Sequence, residues 1–217
     1  MSKTEAIFAA AQADDVTGLL SLLSAKPGFE WRNESGETVL LYSVYRGRRK
    51  CVEALGSRNG LTLHEAAAIG NVERLRECLA TAPWTIQALS ADGWPALHLS
   101  AYFGRDDAVL ALLELGADAR QWARASESNL AIHAACAGKR IGRSAFARLV
   151  VATGDPNVTP KHGYTALMEA SMNGFADAVE VLLAAGADTT LRHHEKNMTA
   201  AEFAEAQGHV ALAKRLR

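Results

Sequence analysis

Apolar residues along this chain fall in short clusters with spacings of three and four, the signature of one buried helix face. AVLALLEL at 108–115 and AVEVLLAA at 178–185 are clear cases. Each is preceded by a second apolar stretch richer in alanine, such as ALHLSAYF at 96–103. Between the two stands a glycine, suited to the left-handed residue that ends a helix. The order is therefore polar or glycine-bearing turn (Gly36, Gly93, Gly163), short helix, glycine, second helix, and a further glycine at Gly116 or Gly186. Neither helix of such a pair is long enough to be stable alone in water. Each pair must bury its apolar side on the next, so the pattern predicts a stack of helical units stabilised by their neighbours.

The pattern repeats. Aligning GYTALMEASMNGFADAVEVLLAAGADTT with DGWPALHLSAYFGRDDAVLALLELGAD and the remaining copies places the middle glycine at Gly47, Gly70, Gly104, Gly138, Gly174 and Gly208. Successive steps are 23, 34, 34, 36 and 34 residues. A period in this range identifies a repeat architecture and changes the whole expectation for the fold.

Composition then narrows the picture. With 49% apolar and 22% charged residues the 217-residue chain can form a packed core. A net charge of −1 gives no general attraction to nucleic acid or anionic lipid. No apolar run is long enough to cross a bilayer, and MSKTEAIFAAAQADD meets acidic residues before a signal-peptide core develops, so a cytoplasmic location is expected. Cys51, Cys78 and Cys136 are far apart and form no CxxC pair. Cys51 and Cys78 occupy apolar helix positions, where cysteine serves as a small hydrophobe.

PALHLSAYFG, LTLHEAAAIG and TALMEASMNG, followed by GFADAVEVLL and by the G-A-D triplets at 116–118 and 186–188, resemble the ankyrin repeat. Motif and period agree, and the resemblance covers nearly the whole chain. It implies an all-α solenoid of helix–turn–helix units joined by short β-hairpin-like finger turns, one domain over 1–217. The expected units are a degenerate N-terminal one at about 4–30, internal ones at about 34–58, 59–88, 91–121, 125–157 and 161–190, and a C-terminal one at about 194–217. Lys214, Arg215 and Arg217 suit the last helix terminus, whose dipole favours cations.

Three departures stand out. The step from Gly47 to Gly70 is short by about ten residues, which removes a finger and predicts a notch. Gly138 is followed by KRIGRSAFARLVV, a link between the two helices about three residues longer than elsewhere. The same unit reads NLAIHAACAG, placing Ile132 at the motif's histidine and Glu127 at its turn glycine, so a distorted finger is expected.

Candidate chemistry is sparse. His64 and His98 stand at the motif histidine and are expected to tie repeats together by hydrogen bonds to backbone. His193, His194 and Glu195 are adjacent, a poor arrangement for a tetrahedral metal site, and read as a solvated turn. Trp84 and Trp122 read as packing residues near finger bases. The basic runs at 46–50 (Arg46, Arg48, Arg49, Lys50) and 139–143 (Lys139, Arg140, Arg143) read as solvated helix starts, with an acidic partner or phosphate backbone as the alternative. No GxSxG, P-loop, GxGxxG or HExxH motif occurs. No catalytic residue, cofactor, metal or small-molecule substrate is expected.

Members of the resembled family bind partners through finger tips and the two residues before the middle glycine. Carried over one by one, these are Tyr45 and Arg46, Ala68 and Ile69, Asp92 and Trp94 with Tyr102 and Phe103, Cys136 and Ala137, and Lys161, His162 and Tyr164 with Met172 and Asn173. The large apolar residues in this set have the composition of interface anchors. The resemblance therefore implies a non-catalytic module for a folded protein partner; a regulatory or inhibitory subunit of an enzyme would use the same surface.

Overall fold

A computed structural model describes residues 2–24, 31–124 and 128–217. Fourteen α-helices occur among them, arranged as seven consecutive pairs. The pairs are α1 (Lys3–Gln12) with α2 (Val16–Ser24), α3 (Val39–Tyr45) with α4 (Arg49–Gly56), and α5 (Leu63–Ile69) with α6 (Val72–Thr81). They continue with α7 (Ala96–Tyr102) and α8 (Asp106–Glu114), α9 (Ala131–Gly138) and α10 (Arg143–Thr153), α11 (Ala166–Met172) and α12 (Ala176–Ala184), and α13 (Ala200–Ala206) and α14 (Val210–Leu216). The odd-numbered helices pack on one another in order from α1 to α13. The even-numbered ones form a second row behind them, in which α6, α8, α10 and α12 are successive neighbours.

Local chemistry explains where the helices start. Thr38, Thr62, Thr165 and Thr199 each accept a backbone N–H of the first turn on the side-chain oxygen. Small side chains explain how closely the odd row can pack: Ala66, Ala67, Ala96, Ala101, Ala131, Ala135, Ala166 and Ala170 are all fully buried. Alanine there costs no side-chain entropy and lets the backbones approach. The apolar core runs unbroken from Ile7 to Leu216.

Polar bonds tie neighbouring units. His64 Nε2 lies 2.9 Å from the Ala88 carbonyl oxygen, and His98 Nε2 lies 2.9 Å from that of Asn129, as the motif histidine requires. The Gln87 amide donates to the Gly116 carbonyl oxygen, and two periods later the Asn157 amide donates to that of Gly186.

The fourth internal unit shows a one-residue correction to the sequence register. The left-handed residue that ends α9 is Lys139, with φ 55°, and not Gly138. The steps around it become 35 and 35 residues. The motif histidine is then His133, whose Nε2 lies 3.1 Å from the Val158 carbonyl oxygen, and Ile132 is core. The turn position falls on Ser128, with φ 39°; Glu127 lies outside the described residues. The link between α9 and α10 spans residues 139–142 and exceeds the three-residue links 103–105 and 173–175 by one residue, not three. Gly138 has a different task. A Cβ there would lie 1.9 Å from the Tyr102 carbonyl oxygen, so the glycine permits α9 to approach the end of α7. The finger itself is distorted, as expected, in the spacing of the hydrogen bond that closes it. Ala123 N–H donates to the Asn129 carbonyl oxygen across six positions, whereas Ser90 donates to Trp94 across four.

Fingers close with antiparallel bridges at Arg32–Thr38 and Leu89–Pro95. No such bridge joins α4 to α5 among the described residues, and a recess of about 340 Å³ opens there between Leu23, Leu40, Leu55 and Leu61.

Candidate interaction groove

The residue before each helix cap follows the turn, so it leaves the finger at a fixed place. Glu37, Trp94 and Asn129 hold this place in three successive fingers, ahead of Thr38, Pro95 and Leu130. Behind them stand the last residues of the odd-row helices. Together they line a groove of about 740 Å³ formed by Glu37, Tyr45, Arg46, Asp92, Trp94 and Tyr102, with His98, Leu99, Asn129, Ala134 and Ala137. Six of the residues carried over from the sequence meet here: Tyr45, Arg46, Asp92, Trp94, Tyr102 and Ala137.

The walls are held in place. The Tyr45 hydroxyl donates to Asp92 Oδ2 at 2.7 Å. Burial first, then this bond, pushes that hydroxyl far above the ordinary phenol range, so it stays protonated as the donor. Arg46 lies 3.4 Å from the Glu37 carboxylate and 3.7 Å from the centre of the Tyr42 ring, so its charge is answered locally. Trp94 packs 6.2 Å from His98. Tyr102 is 43% exposed and is the most open aromatic of the groove.

Phe103 departs from expectation. It is only 6% exposed, stacked on Tyr45 at 5.8 Å and set edge-on to Tyr102 at 5.0 Å. Its ring fills the space between two units and supports the two tyrosines from behind. Cys136 is likewise fully buried, because the register is one residue later than the sequence reading supposed. Burial pushes its thiol well above the ordinary range. Ala68 is fully buried and Ile69 half-buried.

The remaining carried-over residues belong to the next unit and do not line the groove. Lys161 and His162 are exposed at a finger tip. Tyr164 is half-buried under the following finger, 4.2 Å from His193 and 5.4 Å from Phe203, with its hydroxyl bonded to Lys196. Met172 and Asn173 are half-buried, and the Asn173 carbonyl oxygen accepts the Lys139 ammonium at 3.1 Å.

Other sequence readings change too. His193 is not solvated: it is 2% exposed, and its Nδ1 accepts the backbone N–H groups of Glu195 and Lys196 at 3.2 Å, fixing the finger. His194 and Glu195 remain exposed. Among the described residues no group of His, Cys, Asp and Glu is placed to hold a metal ion. Trp84 is 77% exposed on the 3₁₀ turn Pro83–Gln87, so it does not pack; Trp122 is partly exposed. In the basic runs, Arg143 lies 3.6 Å from Asp177, and Lys139 is engaged as described. Among the described residues no helix is long and apolar enough to cross a membrane.

Glu37, His98 and Asn129 were missed as groove residues. Glu37 shares the finger position of Trp94, and Asn129 does so once the register is corrected by one residue.

Comparison with known proteins agrees with this architecture. A family model described as ankyrin repeats in three copies matches residues 120–193, and a single ankyrin repeat model matches residues 92–121. The Notch-regulated ankyrin repeat-containing protein of Xenopus laevis is 33% identical over 88 residues, covering 39% of this chain and 76% of that protein. The Homo sapiens protein of that name is 32% identical over 88 residues, with the same two shares. Protein A of that name in Danio rerio is 31% identical over 88 residues, covering 39% of this chain and 78% of its own length. With its paired helices, bridged fingers and repeat-tying histidines, this chain belongs to the ankyrin repeat family.

Proposed function

We propose that the chain is a non-catalytic protein-interaction module whose partner seats on the groove between the fingers and the odd-numbered helices. The observation that carries this is the convergence of Tyr45, Arg46, Asp92, Trp94 and Tyr102 on one cleft, with an open aromatic at its edge. Ankyrin repeat proteins generally bind other proteins, which supports the same reading. The groove walls are already ordered by the Tyr45–Asp92 bond and the Phe103 stack, so a partner binds with little further ordering cost. A folded partner suits a rigid surface of this kind.

The test is substitution at the rim. Tyr102→Ala removes an exposed ring and should weaken partner binding by about 1–3 kcal/mol without loss of helicity. Unchanged binding in a folded Tyr102→Ala variant would overturn the proposal.

A further inference from the structure

Among the described residues, three buried polar atoms on side chains lining the groove have no hydrogen-bond partner: Asp92 Oδ1, His98 Nδ1 and Asn129 Oδ1. His98 is 1% exposed and Asn129 5% exposed. Burial leaves such groups at a cost unless something answers them. All three are acceptors. Asp92 is a carboxylate whose other oxygen holds the Tyr45 hydroxyl. His98 faces a carbonyl oxygen through Nε2, so the proton sits there and Nδ1 carries a lone pair.

The origin of the His98 orphan is in the sequence. In α9 the Leu130 N–H donates to His133 Nδ1 at 3.3 Å. The equivalent residue of α7 is Pro95, which has no N–H to give. The groove thus presents buried acceptors beside Trp94, Tyr45 and Tyr102. Among the described residues lining it, the one cation, Arg46, is committed to Glu37 and Tyr42, and the Asp92 carboxylate has no ion-pair partner.

We propose that this groove receives the guanidinium of an arginine side chain from the protein partner. Guanidinium carries five donors and no acceptor, and its flat face stacks on aromatic rings. The inference rests on the interaction reading given above and adds the chemistry of the group that enters.

The test titrates the full chain with the peptide acetyl-Gly-Arg-Gly-amide and follows the Trp94 indole N–H by nuclear magnetic resonance, assigned with Trp94→Phe. The same peptide with citrulline or lysine in place of arginine is titrated in parallel. Saturable shifts with arginine, little with citrulline, and weaker shifts with lysine are expected. Asp92→Asn keeps an oxygen for the Tyr45 hydroxyl and should weaken the arginine peptide about tenfold, the effect of losing a charge-assisted hydrogen bond. Asp107→Asn, exposed on α8 and outside the groove, should change nothing. No shift with arginine, equal shifts with citrulline or lysine, or an unaffected Asp92→Asn variant would overturn the guanidinium assignment. If partner binding is lost in Tyr102→Ala but kept in Asp92→Asn, only this inference falls. If partner binding ignores both substitutions, the interaction reading falls with it.

Discussion

Gly138→Ala isolates the contact that sets the spacing of the groove's central units. The added Cβ would meet Tyr102 backbone atoms, at 1.9 Å from the oxygen, 2.7 Å from the carbonyl carbon and 3.0 Å from Cα. Carbon–oxygen contacts normally lie near ~3.3–3.6 Å, so α9 must withdraw from α7 by roughly 1.5 Å. No rotamer change relieves this, because the opposing atoms are backbone. Overpacking of this kind costs about 1–3 kcal/mol. The better helix propensity of alanine offsets about 0.5–1 kcal/mol of it. Gly56→Ala is the control. Gly56 also ends a helix, but its Cβ would meet only the flexible tip of Ile69 at 3.1 Å, so that variant should be neutral or slightly more stable. Thermal unfolding followed by circular dichroism should place Gly138→Ala several degrees below both wild type and Gly56→Ala, at about 2–4 °C per kcal/mol for a chain of this size. Equal stability of the two alanine variants would mean that the Gly138 contact with Tyr102 does not set this spacing.

Other consequences follow from burial. The imidazoles of His98 and His133 are held neutral, with pKa values of about 4 against an ordinary 6.5, mainly by desolvation. The unfolded chain therefore binds more protons between pH 6.5 and 4. Stability that is complete above pH 6.5 declines through that window, by up to about 3 kcal/mol per ring. Urea midpoints at pH 7 and 4.5 should differ accordingly, and a His98→Gln/His133→Gln chain should lose most of that dependence. Phe103→Ala, despite its place beside the groove, should destabilise by about 3–5 kcal/mol, read as a lowered urea midpoint, because it empties a core position. Cys51 and Cys136 should be unreactive to a thiol reagent in the native chain and reactive in urea. Burial raises the Cys51 thiol to about 11 and the Cys136 thiol well above its ordinary value.

Periodicity made the fold legible. Apolar spacing, alanine-rich first helices and recurring glycines specify paired helices that must stack, and no single residue had to be read correctly for that. Site residues depend on exact register, and there the sequence was ambiguous at one place. AACAGKR offers Gly138 as the helix stop, yet the chain uses Lys139 in the left-handed conformation, because the glycine is needed against the Tyr102 carbonyl. That one-residue difference hid His133 and Asn129 and put Cys136 on the surface. Exposure was the other unreadable quantity. Phe103 and His193 sit at positions that face solvent in a single isolated unit, but each is covered by a neighbour, Tyr45 for the first and Tyr164 for the second. Trp84 shows the reverse, since nothing in PWTIQ indicates that its ring points away from every neighbouring unit.

The most direct test of the account is capture of partners from lysate of the chain's host cells, comparing wild type with a Trp94→Ala/Tyr102→Ala variant that shows the same circular dichroism and a comparable melting temperature. If the groove is the binding surface, a protein is retained by wild type and lost from the variant. Equal capture by both would contradict the assignment of the groove as the binding surface.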